Sequence, residues 1–594
     1  MGTKVIRKGG AFFLEDVPAV EVFTPEDLSE EHEMIASTTQ RFVKNEVRPN
    51  AQRLEHKDWD LNRQLLLKAG ELGLLGADIE DKYGGSEMGI TASMVIVENC
   101  APAGSFGLTL NDHTGIGSTP LILFGNTAQK KKYLPAMARG EKIGAYALTE
   151  PGAGTDAMSL KTTAKLTPDG KYYILNGTKQ FITNGAFCDI IFTYAKTQGD
   201  KVTAFILERG FEGVSTGPEE KKMGLRGSST CSIFLDNAKV PVENVLFELG
   251  KGHVVAFNIL NLGRFKLGAG SVGAAKLAIE SSVGYAKERI QFNKPICQFG
   301  MIKHKIAEMA TRTYVAESAV YRICGLIDTI LETVDRSADD AGQQMAKSIG
   351  EYAIECSIAK VYGTEMLAYV ADEALQIYGG YGYIEEYPVE EIYRDNRVFR
   401  IFEGTNEINR VIIMGFLLRK GLKNELPLFS EGEKVKDELK TMKPLTPDAS
   451  DGPLGYQQRL VNRAKRVFLF LCNEAAQKYG MAIEEEQEIL ALLSDIAQEV
   501  YVMESGLLRA QKSIQSVGEN KSKLKIDMVQ LYVNEAMFRI TGYTKQAIAA
   551  MQTGEAVEKQ LTALEKALRF TPVNAVGLRR AIADEVTEVG KYTC

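Results

Sequence analysis

The sequence predicts a mainly α protein with a β-domain in its middle and an added helical unit towards its C-terminal end. Three observations carry that prediction. Apolar residues recur with helical spacing from about Asp27 to Lys142, the pattern turns to short β-rich runs between Ala145 and Val245, and helical spacing returns from about His253 to Arg419. The first block shows Leu65, Leu66 and Leu67 followed by Leu72, Leu74 and Leu75, with a glycine-rich break from Tyr83 to Gly89. It reads as a helical domain over 27–144, preceded by an arm at 1–26. In the middle domain, 145–250, Tyr172 to Leu175, Asp189 to Tyr194 and Val202 to Leu207 read as strands, separated by turns such as Asn176-Gly177 and Pro168-Asp169-Gly170. A second helical domain, 251–423, is expected to end at Gly421 as its C-cap.

Residues 424–455 carry Pro427, Pro444, Pro447 and Pro453 amid dense charge, which reads as a partly ordered linker. A C-terminal helical unit, 456–594, follows. Leu460, Val461, Ala464, Val467, Phe468 and Leu471 share one helical face, as do Ile489, Leu492, Leu493, Ile496, Val500, Met503 and Leu507. The long stripe is expected to be a bundle core, with a membrane-surface helix or a partner groove as the alternative. Asp495, Glu499 and Glu504 weigh against an anionic membrane there.

Among the 594 residues, 70 Lys and Arg face 77 Asp and Glu, a net charge of −7 that offers no excess of base for a phosphate backbone. Nucleic-acid binding is thereby excluded as an expectation. With 45% apolar and 25% charged residues the composition is that of an ordinary globular chain. Eight scattered cysteines without a C-x-x-C pair point to reduced, mostly buried thiols rather than a metal site or a disulfide frame. The first residues lack a signal-peptide core, because AFFL ends at Glu15 and Asp16, and no apolar run is long enough to span a membrane. A cytoplasmic location is expected, or the mitochondrial matrix in a eukaryote, with peripheral membrane contact left open.

Gly268 to Gly273 satisfies G-x-G-x-x-G, but ILNLGRFKL before it lacks strand alternation. Small residues in a helix that packs closely on its neighbour explain the pattern better. More specific is Tyr146-Ala-Leu-Thr-Glu-Pro-Gly-Ala-Gly-Thr-Asp156, a tight loop whose N–H groups and hydroxyls, Thr149 and Thr155, can meet a heterocycle or a phosphate. Lys179 to Gly185 places the Phe181 ring two residues from the Thr183 hydroxyl; a plain strand and hairpin is the other reading. Further on stand Gln376-Ile-Tyr-Gly-Gly-Tyr-Gly-Tyr383 and Ile401-Phe-Glu-Gly-Thr-Asn-Glu-Ile-Asn-Arg410. In the second of these Glu403 sits between a bulky aromatic and a Gly-Thr break, so its side chain can face an apolar space.

In order, spacing and residue type, YALTEPGAGTD, FITNG, RIQFNKPI, QIYGGYGY and IFEGTNEINR resemble the acyl-CoA dehydrogenase family from about residue 27 to 421. The added C-terminal unit resembles the very-long-chain branch of that family. This resemblance implies a helical N-terminal domain, a middle β-barrel and a four-helix bundle, with FAD between the middle and bundle domains. Tyr146, Leu148, Thr149, Thr155, Phe181 and Thr183 match family residues around the flavin ring and its ribityl-pyrophosphate arm. Position 181 is usually Trp, and Phe keeps the stacking face while losing the indole donor. Arg289, Gln291 and Phe292 match residues that reach the FAD of the neighbouring subunit, as do Gln376, Gly379 and Gly380. Thr405 and Glu407 match the segment closing over the adenosine side, where Glu407 replaces a more usual amide. Thr155, Asn261, Arg264 and Gly404 match positions near the bound thioester and pantetheine.

The resemblance makes Glu403 the base that takes the α-proton of a fatty acyl-CoA while the β-hydrogen leaves as hydride to flavin N5, giving a trans-2-enoyl-CoA as in fatty acid β-oxidation. Burial beside an acyl chain should raise a carboxyl from about 4.3 towards the range useful to a base. Electron-transfer flavoprotein is the implied acceptor and a homodimer the implied unit. Two rivals stay open: an acyl-CoA oxidase that passes electrons to oxygen, and a non-catalytic assembly or scaffold relative. Some family members carry their base on the residue before the Arg matched by Arg264, and here that residue is Gly263. The missing side chain is expected to leave room for a medium to long acyl chain.

Overall fold

The structure, a computed structural model, describes residues 5–439 and 441–594; residues 1–4 of the expected arm, and residue 440, lie outside the described residues. The N-terminal domain holds α1 (Glu30–Phe42), α2 (Ala51–Glu55), α3 (Trp59–Glu71), α4 (Gly89–Cys100), α5 (Ser105–Thr114), α6 (Thr119–Phe124) and α7 (Thr127–Ala138). Side chains start several of these helices: Asp58 accepts from Leu61 N–H at α3, and Asn126 and Gln129 form a reciprocal capping box at α7.

The middle domain holds β1 (Gly144–Ala147), β2 (Thr163–Leu166), β3 (Tyr172–Thr183), β4 (Ile190–Lys196), β5 (Val202–Glu208), β6 (Val214–Glu219), β7 (Thr230–Pro241) and β8 (Val245–Leu246). Its ladder runs β6-β7-β3-β2-β4-β5-β8, with β1 parallel to β4, and no ladder joins β6 to β8 among the described residues. The period-two alternation of β4 sorts its residues onto two cores. Ile191 and Ala195 meet Ala145, Leu175, Phe205, Ile233 and Val240 inside the curled sheet. Ile190, Phe192 and Tyr194 face the other way, onto Leu121, Tyr133, Met137 and Val255. The sheet is therefore buried on both faces and holds the loop after β1 rigidly against the helices.

The second helical domain comprises α8 (Gly252–Glu288), α9 (Gly300–Leu331), α10 (Ala341–Glu351), α11 (Ala353–Tyr378), α12 (Pro388–Asn396) and α13 (Asn406–Leu422), with a small ribbon of β9 (Ile290–Gln291) and β10 (Lys294–Pro295) between α8 and α9. The G-x-G-x-x-G run lies inside α8, where a Cβ on Gly268 would stand 3.0 Å from the Ala359 Cβ of α11. The glycines thus serve close helix packing. The expected C-cap at Gly421 is displaced: α13 runs through Leu422, and Asn424 takes the left-handed conformation instead, with φ of 56°.

Residues 424–455, read as a linker, contain α14 (Leu428–Glu438). Leu428 and Val435 are fully buried and the helix packs on α15 (Gly455–Tyr479), so the apolar i, i+7 pair outweighs the surrounding charge. The extension continues with α16 (Gln487–Val517), α17 (Lys523–Met551), α18 (Glu555–Leu568) and α19 (Ala575–Val589). The stripe from Ile489 to Leu507 is bundle core. Three acids of that helix are paired: Asp495 with Arg410 at 2.7 Å, Glu499 with Arg539 at 2.5 Å, and Glu504 with Arg322 at 2.9 Å and with Lys465. No described helix is long and apolar enough to cross a membrane.

The arm straps the extension to the bundle. Gly10 N–H donates to Glu355 Oε1 at 2.7 Å, Phe12 meets Tyr501 at 4.7 Å between ring centroids, and Phe13 stacks on Phe468 at 3.9 Å. Phe13→Ala is expected to cost about 3–5 kcal/mol, seen as a lower denaturation midpoint and faster proteolysis of the extension. An unchanged midpoint would show that the arm is dispensable for docking.

Candidate active site

A cavity of about 1220 Å³ lies where the loop after β1, the β3–β4 region, α5, α8 and the 401–405 loop converge. Tyr146, Leu148, Thr149, Thr155, Phe181, Thr183, Asn261, Arg264, Glu403, Gly404 and Thr405 all line it. Phe181 has φ of 58° and is 58% exposed, its ring lying on the open wall. Arg289, Gln291, Phe292, Gln376, Gly379, Gly380 and Glu407 lie outside the wall of this cavity. Phe292 is 89% exposed, and Arg289 sits 5.6 Å over the Tyr381 ring. The Thr405 hydroxyl also acts locally, accepting from Ile408 N–H to cap α13.

The 401–405 loop is held in an unusual shape. After α12 the chain makes a 3₁₀ turn over Arg397–Arg400, and Glu403 and Gly404 then both take left-handed φ, at 56° and 80°. For a glutamate that conformation costs about 1–3 kcal/mol and persists only when neighbours fix it. Three donors do so. Arg264 Nε reaches the Glu403 carbonyl at 3.3 Å, Lys360 Nζ reaches the Gly404 carbonyl at 2.8 Å, and Asn409 Nδ2 reaches Gly404 and Thr405 carbonyls at 2.9 and 3.0 Å. Lys360 also holds Asn406 Oδ1 at 2.6 Å, and Arg264 Nη1 holds Asn261 Oδ1 at 3.1 Å.

With its backbone so fixed, Glu403 points its carboxyl at α8. Oε2 is buried with no hydrogen-bond partner. A Cβ on Gly263 would stand 2.5 Å from that oxygen. The space left by Gly263 is therefore filled by the Glu403 carboxylate itself, a correction to the expectation that it houses the acyl chain. Burial raises this carboxyl to about 7, against the opposing pull of Arg264 and Lys360. Burial likewise brings the Lys360 ammonium down to about 7. Asp112, on the same wall, is pushed well above the carboxylate range by burial and then by the charge of Glu403. Glu407 goes the other way, its carboxyl lowered chiefly by its own backbone N–H.

A partly protonated, unpaired carboxyl in an apolar cavity is suited to taking a proton from carbon. If it does, the rate should climb roughly tenfold per pH unit at low pH and level off above about 7, since deprotonation creates the base. A profile flat well below pH 7 would contradict that role. Sequence reading missed Lys360, Asn409 and the α5 pair Asn111-Asp112, all placed at the site by tertiary packing. A lysine within the apolar run Ile358-Ala-Lys-Val361 was the available signal for the first.

Comparison with known proteins adds to this geometry. Family models described as acyl-CoA dehydrogenase N-terminal, middle and C-terminal domains match residues 29–141, 145–238 and 250–418, and a further C-terminal domain model of that name matches 463–566. A Bacillus subtilis (strain 168) protein described as "Probable acyl-CoA dehydrogenase" is 49% identical over 588 residues, 99% of each chain. The human "Very long-chain specific acyl-CoA dehydrogenase, mitochondrial" is 36% identical, covering 81% of this chain and 74% of its own. Among solved structures, an acyl-CoA dehydrogenase complexed with FAD from Bacillus anthracis superposes with TM-score 0.97 at 49% identity, over 99% of this chain and all of the other.

Proposed function

The chain belongs to the acyl-CoA dehydrogenase family, and from that premise we propose that it dehydrogenates medium- to long-chain fatty acyl-CoA at the α,β bond in fatty acid β-oxidation, with Glu403 as the α-proton base. The observation that carries this reading is the Glu403 carboxyl: buried, unpaired and raised to about 7 inside the cavity. The cavity wall fits FAD, since it offers the Phe181 ring for stacking and the hydroxyls of Thr149, Thr155 and Thr183 for polar edges. Bound FAD would supply the two-electron acceptor that takes the β-hydrogen as hydride. Asn261 and Arg264 orient the thioester, and the peptide N–H groups of the pinned 403–404 turn are the nearby donors for an enolate-like oxygen.

Chain length follows from α8. Leu267, Gly270, Ala274 and Leu277 continue the helical face of Gly263 beyond the Glu403 carboxyl and all line the cavity, an arm of roughly 15 Å at 1.5 Å per residue. Gly104 and Gly107 line the same cavity, where a Cβ on Gly107 would stand 2.8 Å from the Cys100 carbonyl. Each buried methylene contributes about 0.8 kcal/mol, or a factor of about four. With acyl-CoAs of graded length, kcat/KM is expected to rise from butyryl-CoA towards acyl groups of about a dozen carbons. A peak at butyryl-CoA would overturn the long-chain reading.

A homodimer completes the proposed unit. Ile290, Phe292, Tyr381 and Tyr383 leave apolar surface exposed beside Arg289, Gln291, Gln376 and Gly379, which supports pairing through this face so that each copy reaches the other's cofactor. The redox partner we propose is an electron-transfer flavoprotein. The eight cysteines, seven of them buried and all free, support a reducing cytoplasmic setting.

A further inference from the structure

The apolar arm of the cavity ends on a charged pair. Arg48, Pro102, Gly104, Pro388 and Glu391 line the same cavity as Glu403, and contacts along α8 place them at its far end. A Cβ on Gly273 would stand 2.9 Å from the Ala101 Cβ, next to Pro102. The Tyr378 hydroxyl donates to the Ser281 carbonyl at 3.1 Å, and its ring centroid lies 5.8 Å from that of Tyr387, the residue before α12. Gly273 and Ser281 are roughly 15 and 27 Å along α8 from Gly263, where the Glu403 carboxyl sits.

Arg48 and Glu391 face each other there. The Arg48 guanidinium donates to the Pro102 carbonyl at 3.3 Å and stands 3.8 Å from Glu391 Oε2, too far for a hydrogen bond. A Cβ on Gly104 would stand 2.9 Å from Glu391 Oε1, which puts the carboxylate against the start of α5. Neither oxygen of Glu391 accepts a hydrogen bond among the described residues, and Arg48 is its one ion pair among them. Burial raises the Glu391 carboxyl above its ordinary range, against the pull of Arg48. Open acceptors and open donors thus stand together where a plain alkyl chain would put its methyl end. A methyl there strips water from both groups and replaces none of its hydrogen bonds.

We propose that this end of the arm reads the terminus of the acyl chain and selects a long-chain acyl-CoA with a terminal hydroxyl, which donates to Glu391 and accepts from Arg48. The assignment rests on the acyl-CoA reading above and adds a substrate class to it. Dehydrogenation at the α,β bond is unchanged and the hydroxyl stays intact. A terminal carboxylate is the wrong group, because it meets the like charge of Glu391. A hydroxyl on a shorter chain stops among Leu267, Ala274 and Leu277, where it has no partner.

The test is a series of ω-hydroxyacyl-CoAs and their unsubstituted counterparts, each pair giving a ratio of kcat/KM on the unaltered holoenzyme. The ratio is expected to lie below one for short chains and to rise about 10- to 100-fold at the length that brings the hydroxyl to Glu391. In Glu391→Leu the rise should vanish, and a ratio taken on one preparation is independent of how much of the variant folds. A ratio that stays flat along the series in the unaltered enzyme, or a rise that survives Glu391→Leu, overturns the assignment while leaving the dehydrogenase reading intact. An ω-carboxyacyl-CoA that gains as much as the hydroxyl also overturns it, since Arg48 alone would then read the chain end. An unaltered enzyme that oxidises no member of either series overturns the dehydrogenase reading, and the assignment with it.

Discussion

Glu403→Gln is expected to slow dehydrogenation about 100- to 10,000-fold, read as acyl-CoA-dependent bleaching of the flavin absorbance in single turnover. The amide fills the same volume and leaves the 403–404 backbone to the same donors, Arg264, Lys360 and Asn409. Folding and the bound-flavin spectrum should therefore persist. The loss is chemical: a carboxyl raised to about 7 can accept a proton, and an amide cannot. The variant should also lose the pH limb near 7, because the group that titrates there has gone. Near-normal bleaching by Glu403→Gln would remove Glu403 from the role of base, and a flavin-free variant would instead point to a structural role for its carboxyl.

Much of this site was legible in the sequence because its chemistry is local. The loop after β1 and the segment 401–410 each carry their functional groups within a few residues, and both line the same cavity. What composition and spacing could not show is the long-range part. Lys360 lies 44 residues from the carbonyl it holds, and nothing about a lysine in an apolar helix says which loop it will meet. The linker reading met a similar limit, since Leu428 and Val435 become a packing face only once α15 is beside them. The positions Arg289 to Phe292 and Gln376 to Gly380 lie off this chain's cavity, and their place beside a second copy's cofactor belongs to the dimer proposal.

Gly263→Ala is expected to reduce kcat about 100-fold without unfolding the protein, since a base misplaced by about 1 Å loses that much. The added Cβ would lie 2.5 Å from Glu403 Oε2, 2.9 Å from its Cδ and 3.3 Å from Ile116 Cγ2. The side chain of Glu403 is the flexible member of that set, so it swings aside. Its backbone cannot follow, because three donors fix the loop's carbonyls. Stability should change little: alanine favours a helix interior over glycine by about 1 kcal/mol, which offsets the cost of moving the carboxyl. The same geometry separates base placement from chain-length choice. If Gly263 serves the carboxyl, the loss should be similar for short and long acyl groups, whereas Gly270→Leu, further along α8, should penalise long chains selectively. A Gly263→Ala enzyme that keeps its rate on butyryl-CoA and fails only on dodecanoyl-CoA would return position 263 to the acyl tunnel and leave the placement of Glu403 unexplained.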